Sequence, residues 1–492
     1  MSYEIPFRQD RLAFSELGRR AVGSVAEFLN ARPERAVDRA VPPADQRAFL
    51  ANMALPEEGV AAEEILSFLK ERIMRWPMPT GHPRSYGWIN SPPAPISLLA
   101  DLVAGTLNNG LDGYDHPSIF LMHSLGRWLM ALSDFSGEKD SLALLFSGGS
   151  AANLNALAVA RYRAAKEDGW NIREEGLQSA HPPLVAYAGD QAHSSIQRCV
   201  EMLGIGSANL RTIPSDDRFR MRPEALAEAI ETDRRAGLRP FCVVAAAGST
   251  NTGAIDPLAD IARVCRERGL WMHVDGAYGG IGGLDPRYAE ALSGMALADS
   301  LTLDPHKWLQ VPLDCGALLV RDRQMNREAF SLVPDYLVPP SDEADSVPWP
   351  FEYMFQLTYA DRALKTWAAI ARLGREGVSD IVCRCNRAAD ALGREIDAAP
   401  DLELLAPVSL SVVNFRYVPP ADGLDAAALD ALNKRLSAEI SACGEAHVPT
   451  TRVDGQVALR ACFLHYENTE EDARHLAALV RRVGGELATG GT

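Results

Sequence analysis

The chain has 492 residues, 47% hydrophobic and 23% charged, enough for two or three domains around a large core. Its 49 Lys+Arg against 65 Asp+Glu leave a net charge of −16, which argues against nucleic acid or an anionic membrane surface as the main partner. No stretch approaches the ~20 uninterrupted apolar residues of a membrane span, and the eight cysteines are scattered without a CxxC pair, so a soluble, cytoplasmic protein without a disulfide scaffold is expected.

In chain order, Leu12, Phe14, Leu17, Ala21, Val25, Phe28 and Leu29 fall on one helical face, and a second helix is predicted over 61–72. A connector rich in proline (Pro33, Pro42, Pro43, Pro56) separates them. Two helices joined in this way form no compact domain, so the arm must pack on something else. Residues 81–93 hold too much Gly and Pro for regular structure, yet carry Tyr86 and Trp88, aromatics that a loop of this kind can use to cover the core. From Ser141 the rhythm becomes strand, turn, helix. Strand-like runs at 142–146, 184–188, 210–213, 241–246, 271–274, 301–303 and 317–320 are interleaved with amphipathic helices at 151–165, 194–203, 223–236 and 258–267. This alternation predicts an α/β fold, a mainly parallel central sheet with helices on both faces, and ligands at the strands' C-terminal ends. A run of proline and acid at 333–349 reads as a mobile loop, followed by a helix at 359–373. Beyond 376, strands at 408–417 and 456–463 and a last helix at 470–483, with Thr469 near its cap, predict a smaller α+β domain. The expected organisation is a helical arm at 1–80, a large domain at 81–375 and a small domain at 376–492.

Three stretches carry chemistry. Ser147-Gly148-Gly149-Ser150 joins a strand to a helix, where small residues and free amides favour an anion such as phosphate. It is neither a dinucleotide fingerprint nor a P-loop. His273-Val274-Asp275-Gly276-Ala277 ends an apolar strand in a carboxylate and small residues, and Asp304-Pro305-His306-Lys307-Trp308 ends a later one in a lysine. A strand-end lysine is costly unless its amine is used, and burial suits it to Schiff-base chemistry. An aspartate and a lysine on successive strand ends suit pyridoxal phosphate, the carboxylate keeping the pyridine nitrogen protonated and the lysine binding the aldehyde. His193, His273 and Asp275 could suggest a metal site, but no third ligand stands at a diagnostic spacing, and none is expected.

The aspartate and lysine motifs, in this order, resemble those of the group II pyridoxal-phosphate-dependent amino-acid decarboxylases, the aromatic-amino-acid and glutamate decarboxylase group. The resemblance runs from about Leu12 to Val483. It implies fold type I, like aspartate aminotransferase, and a homodimer in which the N-terminal arm clasps the partner and the active site lies at the interface. It implies Lys307 as the internal aldimine, Asp275 as the pyridinium partner, His193 stacked on the ring and Ala277 against the opposite face. Gly149, Ser150, Ser300 and His306 match phosphate contacts, and Thr250 a residue near the ring. Trp88 would approach the substrate side chain, Arg460 either the substrate carboxylate or a structural carboxylate, and Tyr336 would protonate the product carbon. The expected reaction is decarboxylation of an L-amino acid, aromatic or related, to the amine. Trp88 points to an aromatic side chain, whereas Asn109, Asp112 and Asp115 point to a polar or basic one. An aldehyde synthase, a carbon–carbon lyase on a phosphorylated amino alcohol, and a catalytically silent scaffold are the alternatives.

Overall fold

The structure, a computed structural model, describes residues 6–37, 41–51, 54–110, 116–135, 140–178, 181–332, 348–420 and 423–489. Its centre is a sheet of seven strands: β1 (Leu142–Phe146), β2 (Leu184–Gly189), β3 (Leu210–Ile213), β4 (Arg239–Ala246), β5 (Trp271–Asp275), β6 (Ser300–Leu303) and β7 (Gly316–Val320). Their order across the sheet is β1-β7-β6-β5-β4-β2-β3. The β2–β3, β2–β4, β4–β5 and β5–β6 pairs are parallel, and only β7 runs against its neighbours β6 and β1. Every residue of β1, β6 and β7 is buried, as strands covered on both faces require. That continuous apolar run is why these strands are legible in the sequence.

Strand continuity also places the chemistry. Because β1, β2, β4, β5 and β6 point the same way, the segments after Phe146, Gly189, Ala246, Asp275 and Leu303 converge at one edge. β7 starts at that edge, and Gly316 is needed there. A Cβ at Gly316 would lie 2.5 Å from the Gly148 Cα and 2.9 Å from an Asp304 oxygen.

A second sheet, β10-β11-β9-β8, is wholly antiparallel and uses Leu402–Leu404 (β8), Val412–Tyr417 (β9), Thr450–Val453 (β10) and Gln456–Cys462 (β11). Helices Ala426–Cys443 and Glu470–Ala488 pack with it. The latter opens with a reciprocal capping box: Thr469 Oγ1 accepts from the Asp472 amide and Asp472 Oδ2 from the Thr469 amide.

Several elements depart from the periodicity reading. The proline-rich connector contains a helix, Pro43–Ala51, and helices Pro95–Leu107 and Pro117–Leu132 follow. All three begin with proline at a position whose N–H a helix leaves unpaired anyway. The helix expected at 359–373 is Ala363–Ala398, interrupted at Gly374 (φ 64°), one residue before the expected boundary at 375. It packs against both Pro95–Leu107 and Glu470–Ala488, so a single kinked rod joins the early and late parts of the chain. The arm helices Phe7–Asn30 and Ala62–Phe68 bury no residue. Lys70 of the turn following the second helix pairs with Glu27 of the first at 2.7 Å.

Candidate active site

The converging strand ends enclose a cavity of about 380 Å³. On one side, helix Gly149–Glu167 begins immediately after β1. The amides of Ala151 and Ala152 already bond to the Gly148 carbonyl, so the Gly149 and Ser150 amides lie ahead of the helical ladder, where an anion is favoured. A Cβ at Gly149 would come within 3.1 Å of Ala277 Cβ and 3.2 Å of Asp304 Oδ2, so a side chain there would crowd this wall.

Asp304-Pro305-His306-Lys307 is a tight turn after β6. The Lys307 amide donates to the Asp304 carbonyl, with proline at the second position, where its φ is preset. The turn brings Lys307 Nζ within 3.0 Å of Asp304 Oδ2, in an ion pair whose side chains are 17% and 5% exposed. Asp304 Oδ1 is buried without a partner. The Asp304 amide donates to the Ala277 carbonyl, tying this turn to the one after β5. His306 Nε2 lies 3.5 Å from Asp304 Oδ2, and burial lowers the His306 pKa despite that neighbour.

Asp275 ends β5 facing the cavity. Its Oδ1 accepts from the Ala277 amide (3.1 Å) and its Oδ2 from Asn153 Nδ2 (3.0 Å). His193 precedes helix Ser195–Met202, and its Nδ1 accepts from the Ser195 amide (3.2 Å) and lies 2.9 Å from the Ser195 hydroxyl. The imidazole therefore caps the helix and also lines the cavity. Asp256 tethers the far wall by accepting from the Met221 and Ala246 amides, both at 2.7 Å. Burial raises its pKa to about 6 against the pull of those amides.

Gly149, Ser150, His193, Thr250, Asp275, Ala277, His306 and Lys307 thus share one cavity. Three expected site residues stand elsewhere. Ser300 is fully buried, with its hydroxyl bonded to Trp271 and His273, so it does not contact an anion in the cavity. β6 pairs Ser300 with His273 and Thr302 with Asp275. Ser300 therefore sits a two-residue step, roughly 7 Å, below the edge. Arg460 donates from Nη1 to the Thr250 carbonyl (3.0 Å), reaching the cavity wall from behind. Asn414 and Ser409 likewise bond to the Asn251 and Gly253 carbonyls, so the second sheet braces the turn after β4. Trp88, 42% exposed at φ 55°, packs on the His447 ring outside the cavity lining. Tyr336, Asp112 and Asp115 lie outside the described residues. Asn153, Ser195 and Asp304 line the cavity and were not singled out from the sequence. Asp304 had a signal in its motif, whereas Asn153, one turn into a helix, had none.

An amine, a carboxylate, an imidazole and a helix-start anion cup in one cavity fit pyridoxal phosphate. The wall at Gly149, which a Cβ would crowd, agrees with a ligand being held here. Fold and site together define a fold type I enzyme of this cofactor. The conserved domain of pyridoxal-dependent decarboxylases matches residues 43–418. The aromatic-L-amino-acid decarboxylase of Bacillus atrophaeus is 29% identical over 477 residues, covering 96% of each chain. The L-2,4-diaminobutyrate decarboxylase of Rhizobium meliloti (strain 1021) is 33% identical over 438 residues, 88% of this chain and 84% of the relative. Oryza sativa TDC, solved with PLP and tryptamine, shares the fold with a TM-score of 0.90 at 23% identity, over 96% of this chain and 98% of that one. The chain belongs to the pyridoxal-dependent decarboxylase family and is a carboxy-lyase acting on an amino acid.

Proposed function

We propose that this chain is a homodimeric, cytoplasmic decarboxylase of aromatic L-amino acids that releases the amine and carbon dioxide. The observation that carries the assignment of the centre is the placement of Lys307 and Asp275 on adjacent strand ends facing one cavity.

When bound, pyridoxal phosphate supplies an electron-accepting ring conjugated to the substrate's amine nitrogen. The Gly149 and Ser150 amides, with His306 beside them, would hold its phosphate. Asp275 would hold a proton at the pyridine nitrogen, and the N–H bonds it accepts from Asn153 and Ala277 fix the carboxylate's orientation for that. Lys307 Nζ is the amine that would bind the cofactor's aldehyde, and Asp304 pairs with it as the ammonium at 3.0 Å. His193, Ala277 and Thr250 line the same cavity, where by the resemblance the imidazole and the Ala277 methyl would cover the two ring faces with Thr250 beside the ring. Tyr336, assigned by resemblance alone, delivers a proton to the substrate's Cα after carbon dioxide departs, and Tyr336→Phe is expected to divert product from amine toward aldehyde. Arg460 holds the Thr250 turn, which supports a positioning part rather than direct contact with the substrate carboxylate.

The dimer reading is supported by apolar surface that the described residues leave uncovered. Helix Pro95–Leu107 buries only Ser97, while Leu99, Leu102, Val103 and Leu107 are exposed, as are Phe7, Leu12 and Phe14 of the arm. A surface of that kind calls for a partner, and the arm at residues 1–80 is assigned to it. Eight unpaired cysteines suit a reducing compartment. The aromatic reading rests on relatives such as the Bacillus enzyme. A diamino acid is the second reading, favoured by the 33% identity to a diaminobutyrate decarboxylase.

The test is a panel of aromatic, acidic and diamino L-amino acids given to the cofactor-loaded protein, with carbon dioxide and amine measured together. Matched release from an aromatic substrate is expected. Preference for 2,4-diaminobutyrate would select the second reading. Carbon dioxide without amine would indicate an aldehyde synthase, and no release from any substrate would leave a lyase or a silent scaffold.

A further inference from the structure

The face of β5 that carries Asp275 also carries Trp271 and His273, and β6 sets Ser300 beside His273. All three are buried beneath helix Gly149–Glu167, as is its Asn153. Polar side chains in such a core are costly unless every group is paired, and an apolar column would serve packing alone.

These four residues are paired in a single direction. The Trp271 indole can only donate, and it donates to Ser300 Oγ (2.9 Å). The Ser300 hydroxyl proton is then left for His273 Nδ1 (2.8 Å). His273 is fully buried, and burial pushes its pKa down to about 4, so the ring is neutral with its one proton on Nε2. That proton goes to Asn153 Oδ1 (3.0 Å). The Asn153 amide is thereby oriented with Nδ2 outward, one hydrogen to Asp275 Oδ2 (3.0 Å) and the other to Ser195 Oγ (3.2 Å). Ser195 in turn holds His193 Nδ1.

We propose that Trp271, Ser300, His273 and Asn153 form a one-way hydrogen-bond relay that fixes Asp275 as a hydrogen-bond acceptor aimed at the pyridine nitrogen, with Asn153 and His273 as positioning residues. The relay begins at a group that cannot accept and ends on a carboxylate, so reversing any link would set two donors or two acceptors face to face. Through Ser195, the same Asn153 amide holds the imidazole of His193. One side chain thus sets both the carboxylate at the ring nitrogen and the imidazole across the cavity.

The inference rests on the assignment of Asp275 to the ring nitrogen, and the test separates the two. The full-length chain, stripped of cofactor, is titrated by equilibrium dialysis with pyridoxal phosphate and with its analogue bearing carbon in place of the ring nitrogen. The ratio of the two Kd values measures recognition of that nitrogen. Asp275→Asn should collapse the ratio; if it does not, the assignment of Asp275 fails. Asn153→Leu and His273→Leu should each lower the ratio by roughly ten-fold or more, the effect of removing a hydrogen bond to a charged group. His273→Gln, which keeps a donor for Asn153, should hold it within about three-fold of wild type. A merely structural role would weaken both ligands equally and leave the ratio unchanged in the leucine variants, which would overturn the relay. Collapse of the ratio in His273→Gln would do so as well, and that variant carries the test if the leucine variants do not fold.

Discussion

Strand β1 buries every residue, whereas the 24-residue helix Phe7–Asn30 buries none, although it carries Phe7, Leu12, Phe14, Val22 and Val25. The sheet is sealed within the chain, so its strand ends can hold side chains to fixed distances. The arm and helix Pro95–Leu107 instead present apolar faces that nothing among the described residues covers. Residues of the first region answer to the chemistry of the cavity, and those of the second to assembly. Substitutions in the two regions should therefore fail in different ways.

The largest effect is expected at the cavity. Lys307→Ala should lower turnover by roughly 10²–10⁴-fold or more and also lower the melting temperature, because it leaves the buried Asp304 carboxylate without its ion-pair partner. Steady-state amine release and a melting curve check this together, and appreciable activity would remove Lys307 from its role. On the uncovered surface, Leu99→Glu with Leu102→Glu should weaken self-association by at least about a hundred-fold, because each would bury an unpaired charge in the interface. Light scattering should then report the mass of one chain while far-UV circular dichroism stays unchanged. A wild-type mass in the variant would break the contrast drawn above.

A smaller effect tests how tightly the strand ends are packed. Gly316→Ala would set a methyl 2.5 Å from the Gly148 Cα, a backbone contact with little room to yield. About 3 kcal/mol of stability should be lost, with weakened cofactor binding, as read by urea titration with and without cofactor. The smallest expected effect is electrostatic. Burial holds the His465 pKa at about 3 against an ordinary 6.5. The unfolded chain therefore takes up a proton below pH 6.5 that the folded one refuses until near pH 3. Stability is fully present above 6.5 and falls as pH drops, by roughly 2 kcal/mol at pH 5. His465→Asn, which keeps an acceptor for the Glu467 amide, should flatten that share of the curve. An identical pH profile in the variant would place the acid sensitivity elsewhere.

Much of the cavity could be read in one dimension because its residues sit at strand ends, and each strand is a continuous apolar run ended by turn chemistry. Lys307 follows an Asp-Pro turn, and Asp275 closes a strand before small residues. Ser300 was misplaced for a register reason. Its motif neighbours reach the edge, but pairing with His273 holds it two residues below. Arg460 shows the same limit, since its partner, the Thr250 carbonyl, is 210 residues away in the chain. Asn153 was illegible, because asparagine in the second turn of a helix is an ordinary solvent residue until the helix is laid over β5.

Local order in this chain follows from the sequence itself: the seven core strands, the anion-favouring turn at Gly149, and the aspartate and lysine at strand ends, because each is set by burial pattern or turn chemistry within a few residues. Tertiary structure alone decided which of the polar side chains meet. The reversed β7 brings Gly316 against Gly148, the second sheet reaches back to the Thr250 turn, and Asn153 comes to lie between His273 and Asp275. Hydrogen bonds of that kind depend on strand register and helix placement, which are fixed only when the whole core packs.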